Sequence, residues 1–551
     1  MRILAACLML ALGSMTAGAA DANGPRPNIL VILADDMGYS DLGCYGSEIA
    51  TPNLDRLAAN SVRFTQFYNN ARCSPSRAAL LTGVHPQQAG VGWLDADWKR
   101  RGYRGHLVDE CVTIAQVLGD AGYHTFMTGK WHLGKAKKLD PITRGGFDRF
   151  YGIRSGVTHF FNPDDLFEND RPIKEIPDDF YITDAIGDRT IGYIRDHVKN
   201  NPEKSFFGYV AFTAPHWPLH ALPEDIKRYR GKYLHGWDTV RAVRLARMKQ
   251  LGIVPKSTAL PPRSPAWPGH GQGTPETDEP TPAWDSLTDE QKIDMDLRMA
   301  VYAAMIESMD RNVGRIVDAL AEAKALDHTL ILFMSDNGGC GEETIWGFDG
   351  GPLWMRNAKQ KRGEPIAKGT IGAADSYSAY GMCWANASNT PLRLYKHFTH
   401  EGGIASPMIS HWPRGFEARG TISSEVGHVI DVMATCVDVG GAAYPKQRGG
   451  REILPMEGVS LRPALSGKPL ARPSPLFWEH EGNRAVRDGQ WKLVSRFGRP
   501  WELYDMTNDR SELHDYASEQ PDRVRDMSAA YDAWAARAHV TPWDEFVKVG
   551  R

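Results

Sequence analysis

The chain has 551 residues, of which 42% are hydrophobic and 24% charged, with a formal net charge of −3. A chain this long has ample material for a core, and its size fits either two to four domains or one large sheet with a satellite. The near-neutral balance gives no support to a nucleic-acid or polyanion-binding surface, and seven cysteines are too sparse for a disulfide scaffold.

The first residues, "MRILAACLMLALGSMTAGAADANG", read as a secretory signal over 1–19. Arg2 supplies the positive end, Ile3 to Leu12 the apolar segment, and Ala17-Gly18-Ala19 a small-residue cleavage site near Ala19/Ala20. That apolar run is too short to span a bilayer, and no later segment is long and apolar enough to do so. The expected location is therefore outside the cytoplasm, periplasmic or secreted. Cleavage leaves Cys44, Cys73, Cys111, Cys340, Cys383 and Cys436, among which Cys340 with Cys383 is one conceivable bridge that sequence cannot pair.

"NILVILADD" is a continuous apolar run ending in two acids, a buried strand with Asp35 and Asp36 at its C-terminal tip. "TPNLDRLAAN" is a short helix opened by Thr51 and Pro52, and "CSPSRAALLTG" a second, opened by Ser74 and Pro75 and closed by Gly83. "TIAQVLGDAG" is a third, followed by a strand at "HTFMT". "FFGYVAFTA" and "TLILFMSDNGG" are further buried strands. Between them a helix is predicted from Asp289 to Lys324, with Thr288 and Gln291 as a capping box and Tyr302, Ile306, Met309, Val313, Ile316 and Leu320 on one face. Alternating strand and helix predicts a large, mostly parallel mixed sheet with helices on both faces.

Two stretches interrupt this order. Val254 to Pro282 is proline-rich and polar, an extended insertion rather than a packed element. Gly341 to Asn386, rich in Gly, Trp and Tyr, predicts long loops at the rim of a site. From about Arg472 aromatic and polar residues alternate around turns such as Asp488-Gly489, then a helix runs from about Pro521 to His539. The division is thus a catalytic part over 25–470, with insertions at about 225–287 and 341–386, and a smaller C-terminal α+β domain over 471–551 built on an antiparallel sheet.

Ligands of open parallel sheets sit outside the carboxyl ends of the strands. Asp35 and Asp36 end one strand, Asp336 and Asn337 another, His216 follows a third, and Lys130 with His132 a fourth. Three carboxylates and an amide carbonyl are hard oxygen ligands, suited to calcium or magnesium rather than zinc. Any one such pair, taken alone, is as readily a helix cap or a tightened turn. Cys73 lies at a helix N-terminus, which favours negative charge, with Arg77 one turn on from the same side. The plainer account is a small buried cysteine beside a structural arginine.

The segment "CSPSRAALLTG" resembles the sulfatase signature: cysteine, any residue, proline, serine, arginine, then leucine-threonine-glycine. "GYHTFMTGKWHLG" at Gly122 to Gly134 resembles the second signature of that family. "ADD" at Ala34 to Asp36, "APHWPLHA" at Ala214 to Ala221, "SDNGG" at Ser335 to Gly339 and "NTPLRLYKHFTHEGG" at Asn389 to Gly403 match in the same order. The resemblance, from about Pro27 to His514, implies the alkaline-phosphatase-like fold of formylglycine-dependent sulfatases. It also implies a maturation enzyme that oxidises Cys73 to Cα-formylglycine, reading the linear motif before folding. A divalent ion, calcium in most relatives and magnesium as the alternative, would be held by Asp35, Asp36, Asp336, Asn337 and the oxygen derived from Cys73. Arg77, Lys130 and His132 would orient the aldehyde hydrate. His216, Lys130 and Lys396 would grip the sulfate, with His216 protonating the leaving alcohol. The implied substrates are aryl or carbohydrate sulfates. "KYLHGWDTVRAVRLARMKQLGIVP" resembles an insert of bacterial arylsulfatases. His220 could compete with His216, which ends the family's "APH", while His397 and His400 flank Lys396 and read as pocket-shaping residues. A phosphonate monoester or phosphodiester hydrolase using the same modified cysteine is the nearest rival reading. A calcium-stabilised binding protein without turnover is the other. Oligomeric state is not legible.

Overall fold

A computed structural model describes residues 26–266, 279–342, 344–350, 370–417 and 419–549. The expected signal segment and the middle of both insertions lie outside the described residues. Ten strands make one sheet: β1 (Asn28–Ala34), β2 (Val62–Tyr68), β3 (His124–Lys130), β4 (Arg149–Ile153), β5 (Leu166–Glu168), β6 (Arg171–Pro172), β7 (Phe206–Ala211), β8 (Thr329–Ser335), β9 (Ala405–His411) and β10 (Thr421–His428). Their order is β10-β2-β9-β8-β1-β7-β3-β4-β5-β6. Only β9 and β5 run against the rest, so the sheet is mixed and mostly parallel as the alternation predicts.

The centre of the sheet is apolar on both faces, as helices on either side require. Ile29 to Ala34 of β1 are wholly buried. Register aligns the strand tips: Leu33 lies opposite Ala211 and Ala34 opposite Ser335. Beyond the last pairs the backbones stay joined, with Asp35 N–H donating to the Ala214 carbonyl (3.0 Å) and Asp336 N–H to Ala34 (3.2 Å). Gly129, at φ 95°, lets β3 close on β7, since a Cβ there would lie 1.8 Å from the Ala211 carbonyl oxygen. The next residue, Lys130, is thereby delivered to the same edge.

The helix expected after Thr288 spans Asp289–Glu322, and both halves of its capping box form between Thr288 and Gln291. Its six apolar positions from Tyr302 to Leu320 are all buried. A ribbon of β11 (Gln447–Arg448) and β12 (Arg451–Glu452) precedes the antiparallel sheet β13 (Leu476–His480), β14 (Asn483–Asp488), β15 (Trp491–Ser495) and β16 (Glu502–Asp505). Period-two alternation gives this second sheet two apolar faces. Phe477, Val486, Leu493 and Leu503 pack under Met527, Tyr531 and Trp534 of the Pro521–Ala538 helix. Trp478, Ala485, Val494 and Tyr504 join the main core.

Two local expectations need correction. Residues Gly381–Ser388 form a buried helix rather than a rim loop. Trp384 on it stacks edge-on against Trp237 and Tyr233 of the earlier insertion, so aromatic content that reads as loop serves core packing. The described flanks of the proline-rich insertion are likewise anchored: Arg263 Nε donates to the Thr281 carbonyl (2.8 Å) and Ser264 Oγ accepts from Asn386 (2.9 Å). Cys340 and Cys383 are buried free thiols, not a bridge. No helix among the described residues is long and apolar enough to cross a membrane.

Candidate active site

Parallel strands carry Asp35, Asp36, Lys130, Asp336 and Asn337 to one edge because each follows or ends a strand pointing the same way. Antiparallel β9 begins at that edge, so the loop ahead of it brings Lys396 there. Asp36 adopts φ 69°, an uncommon conformation for a residue with a side chain, although one that aspartate enters more readily than most. The Cys73–Thr82 helix is buried along its whole length, ends in left-handed Gly83 (φ 72°), and is tied down at its start by Ser74 Oγ donating to the His132 carbonyl (2.8 Å). Cys73 Sγ lies 3.5 Å from His132 Nδ1.

Three cations and three carboxylates interlock. Arg77 donates through Nε (2.9 Å) and Nη2 (2.7 Å) to Asp336 Oδ2 and through Nη1 to the Lys130 carbonyl (2.8 Å). Its Nη2 is also 3.5 Å from Asp35 Oδ1. Lys130 Nζ meets Asp35 Oδ2 at 2.6 Å, and Lys396 Nζ meets Asp36 Oδ1 at 2.8 Å and Oδ2 at 2.9 Å. Asn337 Nδ2 donates to Asp36 Oδ1 (2.6 Å). His216 is fixed by a 2.6 Å hydrogen bond from Nδ1 to the Trp217 carbonyl, leaving Nε2 3.4 Å from both Lys396 Nζ and Asp36 Oδ2.

Burial dominates the electrostatics, and the charges then divide the two neighbouring acids. Burial raises Asp35 to about 7, with Lys130 and Arg77 opposing and Asp336 and Asp36 reinforcing. Burial also acts to raise Asp36, but His216, Lys396, Lys130 and the Asn337 amide overcome it and hold the carboxyl well below its usual range. Burial pulls His216 down to about 3 against the pull of Asp36, and pushes the Cys73 thiol up despite Lys130 and Lys396. Lys396, in spite of burial, is held charged by Asp36.

Every residue the sequence nominated for chemistry therefore lies in this cluster, and the residues suit a divalent cation. Asp35 Oδ1 and Asn337 Oδ1 are buried and accept no hydrogen bond, and they belong to the hard-oxygen set. Asp35, Asp36 and His216 present donor atoms within 4.8 Å of one another. His220 stands apart: its Nε2 bonds the Ser376 carbonyl (2.8 Å) and its ring packs on His159 (4.3 Å). His397 and His400 turn from the cluster to Glu481 (2.8 Å) and Glu502 (3.3 Å). Sequence reasoning missed Arg72, which stands at the N-cap position of the Cys73 helix without a capping side-chain bond and pairs with Glu342, itself 3.3 Å from Trp217 Nε1. An acid just past the "SDNGG" strand end was the available signal for Glu342; nothing marked Arg72.

Comparisons with known proteins bear on the family. The family model for sulfatases matches residues 27–442, and that for the C-terminal part of N-sulphoglucosamine sulphohydrolase matches 393–528. An uncharacterised sulfatase of Schizosaccharomyces pombe is 34% identical, covering 96% of each chain, and the arylsulfatase of Klebsiella aerogenes is 35% identical, covering 81% of this chain and 94% of its own. Among solved structures, Ps i-CgsB in complex with k-i-k-neocarrahexaose superimposes with a TM-score of 0.65 at 26% identity, covering 93% of both chains. A family model spanning residues 27–442 and a relative matched over 96% of the chain decide the assignment: this chain is a member of the sulfatase family.

Proposed function

We propose that this sulfuric ester hydrolase cleaves aryl or carbohydrate sulfate monoesters with a Cα-formylglycine made from Cys73, beside a divalent cation, calcium ahead of magnesium. The carrying observation is the position of Cys73: at a helix N-terminus, 3.5 Å from His132 and within the field of Lys130 and Lys396. A thiol raised by burial is a poor nucleophile, so this cysteine suits a precursor better than a catalyst.

Sulfate monoesters resist water, and a serine-like hydroxyl would stop at an equally stable ester. The hydrated aldehyde supplies one hydroxyl to attack sulfur and a second whose deprotonation expels sulfate. Asp35, Asp36, Asp336 and Asn337 would hold the cation, which when bound lowers the pKa of the attacking hydroxyl and polarises sulfate oxygens. Lys130 and Lys396 meet negative charge on the sulfate, and removing one such group typically costs about 100- to 1,000-fold in rate. Arg77 keeps Asp336 and Lys130 in register and His132 orients position 73. His216, with Nδ1–H committed to the Trp217 carbonyl, would protonate the leaving oxygen from Nε2 in its doubly protonated form, which the Asp36 carboxylate 3.4 Å away favours.

The Klebsiella arylsulfatase supports an aryl substrate, and the neocarrahexaose bound to Ps i-CgsB a carbohydrate one. The phosphonate monoester hydrolase of Agrobacterium radiobacter, at 20% identity and a TM-score of 0.55, shares the fold and favours no change of substrate. Protein whose Cys73 peptide carries the aldehyde, checked by mass spectrometry, is to be assayed on matched aryl sulfate, phosphate and phosphonate esters. Preference for sulfate is expected; preference for a phosphorus ester overturns the reading, and full activity of unmodified thiol overturns the nucleophile. We also propose export by the N-terminal segment, so activity belongs in the periplasmic or culture fraction. Retention of a full-length chain in the cytosol contradicts it.

A further inference from the structure

Lys396 sits in a segment whose neighbours on both sides are held from outside the large sheet. Before it, Arg393 Nη1 donates to Glu502 (3.1 Å), the Tyr504 hydroxyl (2.7 Å) and the Glu512 carbonyl (2.9 Å). After it, His397 Nδ1 lies 2.8 Å from Glu481 Oε2 and its Nε2 3.1 Å from Asn483 Nδ2. Glu481 lies in the β13–β14 turn and Asn483 opens β14, and Trp93 Nε1 also donates to Glu481. His397, Glu481 and Asn483 are all buried.

The backbone explains why such holding is needed. His397 adopts φ 92° and Leu394 φ 63°, conformations that side chains disfavour and that persist only where surroundings impose them. The N–H of His397 reaches the Ala71 carbonyl (2.8 Å), and Ala71, two residues before Cys73, is itself at φ 60°. One hydrogen bond thus joins the strained approach to Cys73 with the strained exit from Lys396. The C-terminal sheet touches both, because Trp478 Nε1 donates to the Asn69 carbonyl (2.7 Å).

We propose that Glu481, through His397, is a positioning residue for Lys396, so that the C-terminal sheet aims a sulfate-binding cation it does not itself contain. The proposal rests on the role given to Lys396 above. The contacts name the direction: Asn483 Nδ2 lies within hydrogen-bond distance of His397 Nε2, and the Glu481 carboxylate lies against Nδ1 on the other side, a charge contact rather than an aligned hydrogen bond, so the imidazole ring is flanked at both nitrogens. Without Glu481 the ring can turn and the φ 92° backbone can relax, drawing Lys396 Nζ from Asp36. Displacement of about 1 Å in a charged group at the reacting centre costs on the order of 100-fold in rate.

The test is a double-mutant cycle on aldehyde-verified protein, with kcat/KM for an aryl sulfate as readout. Glu481→Gln is expected to lower it by about 10- to 100-fold with an unchanged melting temperature. In the Lys396→Ala background the same change is expected to cost less than about twofold, because the group it positions is gone. Equal losses in both backgrounds overturn the positioning role. Full activity of Lys396→Ala instead overturns the role of Lys396, a separate failure. Asn483→Ala, which loosens His397 from its other side and leaves Glu481 in place, is expected to give the same non-additive pattern, and carries the test if Glu481→Gln does not fold. Zinc in the purified protein that is lost on Glu481→Gln would make His397, His480 and Glu481 a metal centre and overturn the proposal.

Discussion

Arg77→Met is the sharpest test of how the charge cluster is assembled. Arg77 is fully buried and makes two bonds to Asp336, one to the Lys130 carbonyl and a longer approach to Asp35. Methionine keeps much of the volume but leaves Asp35, Asp36 and Asp336 to share Lys130 and Lys396. Stranding a buried carboxylate in this way costs about 3–5 kcal/mol. A divalent cation bound at the same carboxylates offsets part of that loss, and each tenfold gain in its affinity returns about 1.4 kcal/mol. Urea unfolding followed by tryptophan fluorescence, with EDTA and then with saturating calcium, measures both quantities from midpoints at a common slope. The expected result is a loss of about 3–5 kcal/mol in EDTA that shrinks by roughly 1 kcal/mol or more in calcium. A variant as stable as the parent in EDTA would show that Arg77 is not what compensates these acids. A loss identical with and without calcium would show that the carboxylates are not the ligands of the cation.

Cys73→Ser, if it remains serine, is expected to accumulate a covalent sulfate ester after one turnover, seen by intact mass; sustained turnover would refute the diol. His216→Ala is expected to lose about 100- to 10,000-fold on sugar sulfates and much less on nitrophenyl sulfate, and a leaving-group series with parallel slopes would remove His216 from proton delivery. Burial raises Glu479 to about 7 although Gly482, Tyr103 and Gln87 donate hydrogen bonds to it. A carboxyl raised in the folded state binds its proton more tightly there, so its contribution is complete below about 4.5 and fades as pH rises through about 7. Unfolding midpoints are therefore expected to fall from pH 5 to pH 8 more steeply in the parent than in Glu479→Gln, and equal slopes would count against it.

What the sequence made legible follows from how local each signal is. Strand β1 announces itself by six consecutive apolar residues and the acids after them, and Thr288 with Gln291 sets a helix start by contacts three residues apart. The site residues other than Lys396, which precedes antiparallel β9, end or follow parallel strands, so the parallel order carried them together once the strands were recognised. The Gly381–Ser388 helix was illegible because its composition resembles a loop, and only contact with Trp237, far away in sequence, gives Trp384 a core to join. The partners of His397 and Glu401 were illegible for the same reason. Lys492 of β15 and Arg510, beyond the end of β16, reach Glu401 at 3.0 Å and 2.9 Å from 91 and 109 residues on, and no periodicity encodes that meeting.

The balance of charge explains why the cluster can be buried at all. Arg77, Lys130 and Lys396 oppose Asp35, Asp36 and Asp336, and with His216 pulled down by burial the histidine adds nothing to the sum. A set of ions this deep is tolerable only near neutrality and fully hydrogen-bonded, yet Asp35 Oδ1 and Asn337 Oδ1 stay unsatisfied. Those two oxygens mark where the arrangement is incomplete for stability, and they are the ones the proposed cation would take up. A dication placed on them would satisfy both and leave two net positive charges facing Cys73, the charge that a departing sulfate dianion needs. The same cation would leave a phosphate monoester, already doubly charged before reaction, held as tightly in its ground state as in its product. Charge would then favour the sulfate ester, whose negative charge grows during the reaction, because stabilisation that increases along the path is what accelerates it.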